Sequence, residues 1–157
     1  MLTCQPKGIL SGIFSRSYQI TEEDQYQGNL RLALLREQAK IQLQERTYRV
    51  SKIGFFSSHW ILSQDNQCIA TAIKPDPFYR RLEIVSGQIS FELIVEDFID
   101  RQFNIFENSN VIGTIAFANP FTRRTTIECS PTVPVHLQLF ALSLTIFMWR
   151  RTTGNNP

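Results

Sequence analysis

Three pairs of adjacent arginines are the residues of this chain best suited to bind a ligand. They are Arg80-Arg81, Arg123-Arg124 and Arg150-Arg151. The planar guanidinium donates two parallel hydrogen bonds, a geometry that matches phosphate oxygens. Neighbouring residues of a strand point to opposite faces, so only one member of each pair can join a shared surface. We predict an anion or lipid-headgroup site drawn from the first two pairs, and the alternative is a set of solvated charges. The candidates are Arg80, Arg81, Arg123 and Arg124.

No group of residues forms a recognisable catalytic site. Ser57-Ser58-His59 contains a hydroxyl and an imidazole, but sequence neighbours seldom have the geometry of a nucleophile and its base, and no acidic partner is evident. The chain contains no Gly-rich phosphate-binding loop. We therefore predict that the protein is not an enzyme, and that His59 is an ordinary residue at the end of a strand.

The cysteines and histidines do not form a metal site. Cys4, Cys68 and Cys129 are far apart, and the chain has only two histidines, so no zinc ligand set is present. We predict no metal and no cofactor, and a packing role for Cys129. A sparse, odd number of cysteines suits a reducing compartment, and the first residues do not resemble a secretory signal. We expect a cytoplasmic protein, with attachment to the periphery of a membrane as a further expectation.

Composition describes one globular domain. The chain has 157 residues, of which 43% are hydrophobic and 19% charged, and its net charge is +2. This length is typical of a single domain that can bury a core without a metal or disulfide. Nucleic-acid binding is not expected, because the net charge is small and no run of Lys and Arg exceeds two residues.

Strand signals recur at short intervals along most of the chain. Three segments have alternating or β-rich sequence on both sides of a short polar turn, which predicts β-hairpins. The expected turns are residues 64–67, Ser86-Gly87 and residues 107–110. Segment 30–43 is ambiguous: leucines alternate at its ends, but 34–40 contains good helix formers. We favour two strands there, and a helix from about Leu30 to Gln44 is the alternative.

The pattern changes after Pro131. Residues 135–149 are apolar on nearly all sides, and Arg150-Arg151 follows, where cations favour a helix C-terminus. Such a helix lies inside protein or in lipid. Its body of about 16 residues spans roughly 24 Å, less than the roughly 30 Å of a bilayer core, so burial in protein is favoured over a tail anchor. We expect Pro134 in its first turn, Thr132 as a cap, and His136 hydrogen-bonded near its start.

Successive hairpins followed by an apolar C-terminal helix resemble the tubby C-terminal-like superfamily. The likeness rests on the hairpins at 60–73 and 103–115, on Val111-Ile112-Gly113-Thr114-Ile115, and on the helix with its Trp-Arg-Arg end. The superfamily includes tubby proteins, phospholipid scramblases and LURP-one-related proteins, and the closest likeness is to small bacterial members. The resemblance implies a closed antiparallel barrel of roughly 10–12 strands around a central apolar helix. A β-sandwich with an external helix would instead predict a helix with one polar stripe.

These observations give one set of expectations. The fold is mostly β (α+β), with a lead-in over residues 1–16, one domain over 17–151 with its helix at about 134–150, and a tail over 152–157. The resemblance implies a non-enzymatic binding or scaffold domain that recognises anionic lipid headgroups, a membrane surface or a protein partner. The alternative is a tail-anchored structural protein with helix 134–150 in the bilayer.

Overall fold

Twelve antiparallel strands close into a barrel, and the C-terminal helix fills it. The computed structural model describes residues 1–7, 15–76, 80–97, 102–118 and 124–152. Each strand pairs with its neighbours in chain order, and β1 pairs with β12 to complete the circle. The elements are β1 Leu2–Pro6, β2 Ser15–Glu22, β3 Gln25–Ala33, β4 Gln38–Leu43, β5 Arg46–Lys52, β6 His59–Gln64, β7 Gln67–Ile73, β8 Arg81–Ser86, β9 Ile89–Asp97, β10 Gln102–Glu107, β11 Asn110–Phe117, β12 Thr125–Cys129 and α1 Val135–Thr152.

Alternation along the strands separates the core from the outer wall. In β3, Leu30 and Leu32 are fully buried while Arg31 between them is exposed. The same in-and-out pattern recurs in β4, where Ile41 is buried between Lys40 and Gln42. A closed barrel has no unpaired edge, so every strand is protected from pairing with other chains. The predicted mostly-β closed barrel is confirmed.

Segment 30–43 forms strands, as the alternation of its ends indicates. Strands β3 and β4 pair in register from Gly28 with Leu43 to Ala33 with Gln38. The residues between them form a short turn, in which Glu37 has a positive φ of 49°. The helix alternative is wrong here, because pairing on both sides outweighs the helix propensity of a few residues.

The three predicted hairpins are present. The central residues of two turns, Asp65-Asn66 and Asn108-Ser109, all have positive φ, the requirement of a type I′ turn that matches strand twist. The remaining turn differs from the prediction by one residue: it comprises Gly87 and Gln88, not Ser86 and Gly87. Gly87 has a φ of +58°, and a glycine adopts this conformation without steric cost.

The helix occupies the interior of the barrel, as predicted. Every residue from Leu137 to Met148 is buried, including Ser143 and Thr145 at 0% exposure. Their hydroxyls donate to the carbonyls of Leu139 and Ala141 at 2.8 and 2.9 Å, so neither buried group is left without a hydrogen bond. In the described part of the chain, no helix has both the length and the apolar character needed to cross a membrane.

The start of the helix differs slightly from the prediction. Pro134 precedes the helix and its carbonyl accepts from the amide of Gln138 at 3.1 Å, so it is the N-cap residue and not part of the first turn. The side-chain amide of Gln138 donates to the carbonyl of Val133 at 2.8 Å. Thr132 is hydrogen-bonded to Ser130, two residues before it. At the other end, Arg150 and Arg151 lie in the last turn as expected.

The N-terminal segment is the main correction to the predicted domain limits. The sequence predicts a lead-in over residues 1–16, but Leu2–Pro6 form β1 and Ser15 begins β2. Strand β1 pairs with β2 on one side and β12 on the other. A five-residue strand shows almost no periodicity of its own, and it is specified here by the two strands it joins.

Candidate functional site at the basic end of the barrel

The two ends of the barrel carry opposite charge. We call one end the basic end: it carries the β3–β4, β5–β6 and β7–β8 connections and the C-terminus of α1. Its cationic residues are Lys7, Arg16, Arg36, Lys52, Lys74, Arg80, Arg81, Arg124, Arg150 and Arg151. The acidic residues there whose side chains the structure describes are Glu37 and Asp76.

The opposite end, which we call the hairpin end, is acidic. It carries tight hairpin turns and the segment that leads into α1. Its acidic residues are Glu22, Glu23, Asp24, Glu45, Asp65, Glu107 and Glu128, and among the described residues Arg46 is the Lys or Arg side chain that accompanies them. The chain as a whole has a net charge of only +2, so the net charge does not reveal this separation of charge between the two ends. The separation would orient the barrel next to a charged surface.

Three cations lie side by side on the outer wall near the basic end. Arg31 of β3 is directly opposite Lys40 of β4, and Lys40 is directly opposite Arg49 of β5. All three side chains are exposed. Adjacent strands are about 4.8 Å apart, so the set spans roughly 10 Å. We call Arg31, Lys40 and Arg49 the basic strip.

No carboxylate accompanies the basic strip in the described structure. Its members have no salt bridge to any described residue. The outward positions two residues away on the same strands are all uncharged: Asn29, Ala33, Gln38, Gln42, Thr47 and Ser51. Like charges directly opposite each other in a sheet are destabilising. The strip is therefore an uncompensated cluster of positive charge bordered by hydrogen-bonding amides and hydroxyls.

A shallow depression adjoins the strip. It has a volume of about 420 Å³ and is lined by Arg31, Lys40, Gln42 and Asn29, together with Lys7 beyond β1. The ammonium group of Lys7 donates to the side-chain oxygen of Asn29. This arrangement brings a further cation to the same side of the barrel and leaves the amide group of Gln42 within the same hollow.

The β5–β6 connection exposes two phenylalanines at the basic end. We call residues 53–58 the aromatic loop. Phe55 and Phe56 are 85% and 95% exposed, and their rings contact each other edge to face with centroids 5.2 Å apart. Leu35, in the adjacent β3–β4 turn, is 61% exposed. The two connections follow the ends of the strands that carry the basic strip, so apolar tips and cations share one side of the barrel.

Glu37 connects the aromatic loop to the end of the helix. Its carboxylate accepts two hydrogen bonds from the guanidinium of Arg151, the second at 2.6 Å, and lies 3.4 Å from the ammonium of Lys52. Lys52 in turn donates to the carbonyl of Phe55 at 2.8 Å. The guanidinium of Arg151 also lies 5.1 Å from the ring centroid of Trp60, a cation–π distance. These contacts hold two connections and the helix C-terminus as one unit.

Three of the four arginines singled out from the sequence, Arg80, Arg81 and Arg124, lie within the described residues. Arg81 is engaged by two carboxylates, Glu83 at 2.8 Å and Glu92 at 2.7 Å. Arg80 is exposed, just before β8, and lines a hollow of about 660 Å³ with Asp76. Arg124 is exposed just before β12, which is separated from β8 by three strands. Arg123 lies outside the described residues. The three described arginines share the basic end but lie at the starts of different strands.

The other residues considered for chemistry have structural surroundings. The hydroxyl of Ser57 and Nε2 of His59 have no hydrogen-bond partner, so they are not bonded to each other. The ring of His136 stacks on Tyr48 at 4.9 Å in place of the expected hydrogen bond, and burial, with a contribution from Arg46, lowers its pKa. Burial raises the pKa of Cys129, which is opposite to the activation of a thiol. No group of three metal-ligating residues occurs in the described ranges.

Sequence reasoning missed the basic strip, although its signal is present. Arg31, Lys40 and Arg49 each lie at an outward position between buried apolar residues. Alternation alone shows that each points outward, but their adjacency depends on the register between three strands. The arginine pairs are neighbours in sequence, whereas the members of the strip are neighbours only in space.

Comparison of the chain with protein-family models, with curated proteins and with solved structures finds no match.

Proposed function

We propose that this protein is a non-enzymatic binding domain that recognises anionic lipid headgroups at a membrane surface. The observation that carries the proposal is the basic strip, in which Arg31, Lys40 and Arg49 lie in cross-strand register without a carboxylate partner in the described structure. A phosphate held between these side chains would neutralise their mutual repulsion. The guanidinium groups at the two ends of the strip match phosphate geometry, and the central ammonium provides a point charge.

The opposite charge of the two barrel ends supports the same function. Cations near an anionic leaflet each contribute about 1 kcal/mol of attraction, and the acidic hairpin end is repelled by the same surface. The barrel therefore approaches with its basic end forward. Arg36 and Lys52 lie in the connection after β3 and at the end of β5, two of the strands that carry the strip.

We also propose that the chain is a member of the tubby C-terminal-like superfamily. A closed barrel of twelve strands around a C-terminal helix is the fold that the resemblance implies. Folds host several functions, so the lipid-binding proposal rests on the strip and not on the superfamily. A cytoplasmic location and the absence of catalysis belong to the same proposal, and a protein partner in place of a lipid is the alternative to it.

The test compares charge removal inside and outside the strip. Lys40→Gln removes the central cation, and Arg46→Gln removes one cation at the hairpin end as a matched control. We expect Lys40→Gln to weaken binding to phosphatidylserine-containing vesicles roughly fivefold, the equivalent of about 1 kcal/mol, and Arg46→Gln to leave it unchanged. Binding is measured by co-sedimentation with these vesicles and with vesicles of phosphatidylcholine alone.

Three outcomes would contradict the proposal. If both substitutions weaken binding equally, only net charge matters and the strip is not a site. If inorganic phosphate raises the thermal midpoint of the wild-type protein and not of Lys40→Gln, while no vesicle is bound, the ligand is a free anion and not a lipid headgroup. Capture by an unrelated acidic protein surface with no vesicle binding would favour the protein-partner alternative.

A further inference from the structure

We infer that the aromatic loop inserts Phe55 and Phe56 into the interfacial layer of an anionic bilayer, and so anchors the barrel by its basic end. This inference deepens the proposed function and rests on it. The basic strip supplies attraction to headgroups, which acts at a distance but is weakened by salt. Phenylalanines that leave water supply a second, short-range contribution that salt does not screen.

The exposure of the two rings is the first observation. Phe55 and Phe56 are the most exposed large apolar side chains in the described structure, at 85% and 95%. Two further exposed apolar residues lie in connections at the same end of the barrel, Leu35 at 61% and Ile53 at 43% exposure. Exposed apolar side chains grouped next to cations are typical of an interaction site, whereas single scattered apolar residues are not.

The loop is held in place by specific bonds at both of its ends. The amide of Ile53 donates to the carbonyl of His59 at 2.9 Å, and the amide of Lys74 donates to the carbonyl of Ser58 at 2.9 Å. Lys52 donates to the carbonyl of Phe55 at 2.8 Å, which fixes the backbone at the tip. Gly54 supplies the turn with a φ of +70°. Because the tip is already ordered, insertion has little conformational entropy to overcome.

The charges around the loop identify a membrane as its partner. Arg36, Lys52 and Arg150 lie at the same end of the barrel as the two rings, and the basic strip lies on the adjoining wall. Ile53 is four positions after Arg49, roughly 13 Å along an extended strand. Aromatic tips bordered by cations match the bilayer interface, where rings contact the acyl boundary and cations contact phosphates. Stable attachment usually needs two such signals together.

The first experiment removes the rings and keeps the charges. We expect the double variant Phe55→Ser, Phe56→Ser to bind phosphatidylserine-containing vesicles roughly tenfold more weakly. The reason is that two partly inserted rings no longer remove apolar surface from water. Val111→Ser is the matched control, because Val111 is 55% exposed at the hairpin end. Both variants should keep the wild-type thermal midpoint, since none of these side chains contributes to the core.

The second experiment measures insertion directly. In Phe56→Trp, the added tryptophan should shift its emission to shorter wavelength on vesicle binding and be quenched by lipids brominated on the acyl chain. Tyr26→Trp is the control, since Tyr26 is an exposed aromatic residue at the acidic hairpin end. The wild-type protein gives the background of Trp60, which is fully buried, and Trp149, which is half-buried.

The outcomes separate this inference from the proposed function. If wild-type protein binds anionic vesicles and Lys40→Gln weakens binding, but the double serine variant binds as wild type and Phe56→Trp is not quenched, the inference is wrong and the proposed function stands. If the serine variant loses binding while Lys40→Gln does not, the loop inserts but the strip is not the headgroup site. If wild-type protein binds no vesicle at all, both are overturned.

Discussion

At the scale of single residues, Gly28 shows how tightly the strands of this barrel approach each other. A Cβ at this position would lie 1.9 Å from the carbonyl oxygen of Gln42 and 2.9 Å from its carbon. Both atoms belong to the backbone of β4, so no side-chain movement can relieve the overlap. The pairing between β2 and β3 also shifts register beside Gly28, and a glycine inside a strand is typical of such a site.

Gly28→Ala is therefore expected to destabilise the barrel. The backbone of β3 or β4 has to move to accept a methyl group, and overpacking of this kind costs about 1–3 kcal/mol. The measurement is chemical denaturation of both proteins. Gly87→Asn is the matched control, because nothing lies within 4 Å of the position and asparagine tolerates positive φ. A Gly28→Ala protein as stable as wild type would show that β3 and β4 can move apart without a loss of folding stability.

At the scale of elements, the helix is the part of the chain that the barrel requires most. Its buried side chains include Leu137, Phe140, Leu142, Leu144 and Phe147, and each such side chain contributes roughly 1.5–3 kcal/mol by leaving water. The inner faces of the strands are apolar as well. Without the helix they would surround a large cavity, whereas protein interiors are close-packed. The strands and the helix stabilise each other.

Deletion of residues 134–157 is expected to abolish cooperative unfolding and to cause aggregation. Solubility and thermal unfolding are the measurements, and deletion of residues 153–157, which follow the end of α1, is the control. Leu142→Ala tests the same point in the full-length chain: Leu142 is fully buried, and its truncation should cost about 2–5 kcal/mol. A truncated protein that stays soluble with an unchanged midpoint would favour the anchor alternative.

At the scale of the whole molecule, the barrel is closed by its shortest strands. Strand β1 pairs with β12 through Leu2, Thr3 and Cys4, and Cys4 is fully buried at this seam. Burial raises the pKa of Cys4 from 9.0 to about 12, so the folded protein keeps this thiol neutral and inaccessible. Cys68 is exposed on β7, and it provides an internal reference for reactivity.

We expect iodoacetamide to modify Cys68 readily at mildly alkaline pH and to modify Cys4 only when the barrel opens. Peptide mass spectrometry at increasing denaturant concentration measures both rates in one sample. The raised pKa also predicts that the free energy of unfolding falls as pH rises above 9.0, because the unfolded chain then loses a proton that the folded chain retains. Equal labelling of both thiols under native conditions would mean that the β1–β12 seam opens on its own.

The sequence by itself determined the local structure and the fold class. Alternation specified the strands from β2 onward, polar turns specified the hairpins, and a helix apolar on nearly all sides indicated burial in protein or lipid; the closed barrel around it was implied by the resemblance. These are short-range patterns, in which the period of the apolar residues follows the period of the backbone. Tertiary structure decided the rest: β1 became a strand through its partners on both sides, and Gly87 was placed in its turn by register. Above all, it assembled Arg31, Lys40 and Arg49, because residues that are distant in sequence become neighbours only when strand pairing sets the register.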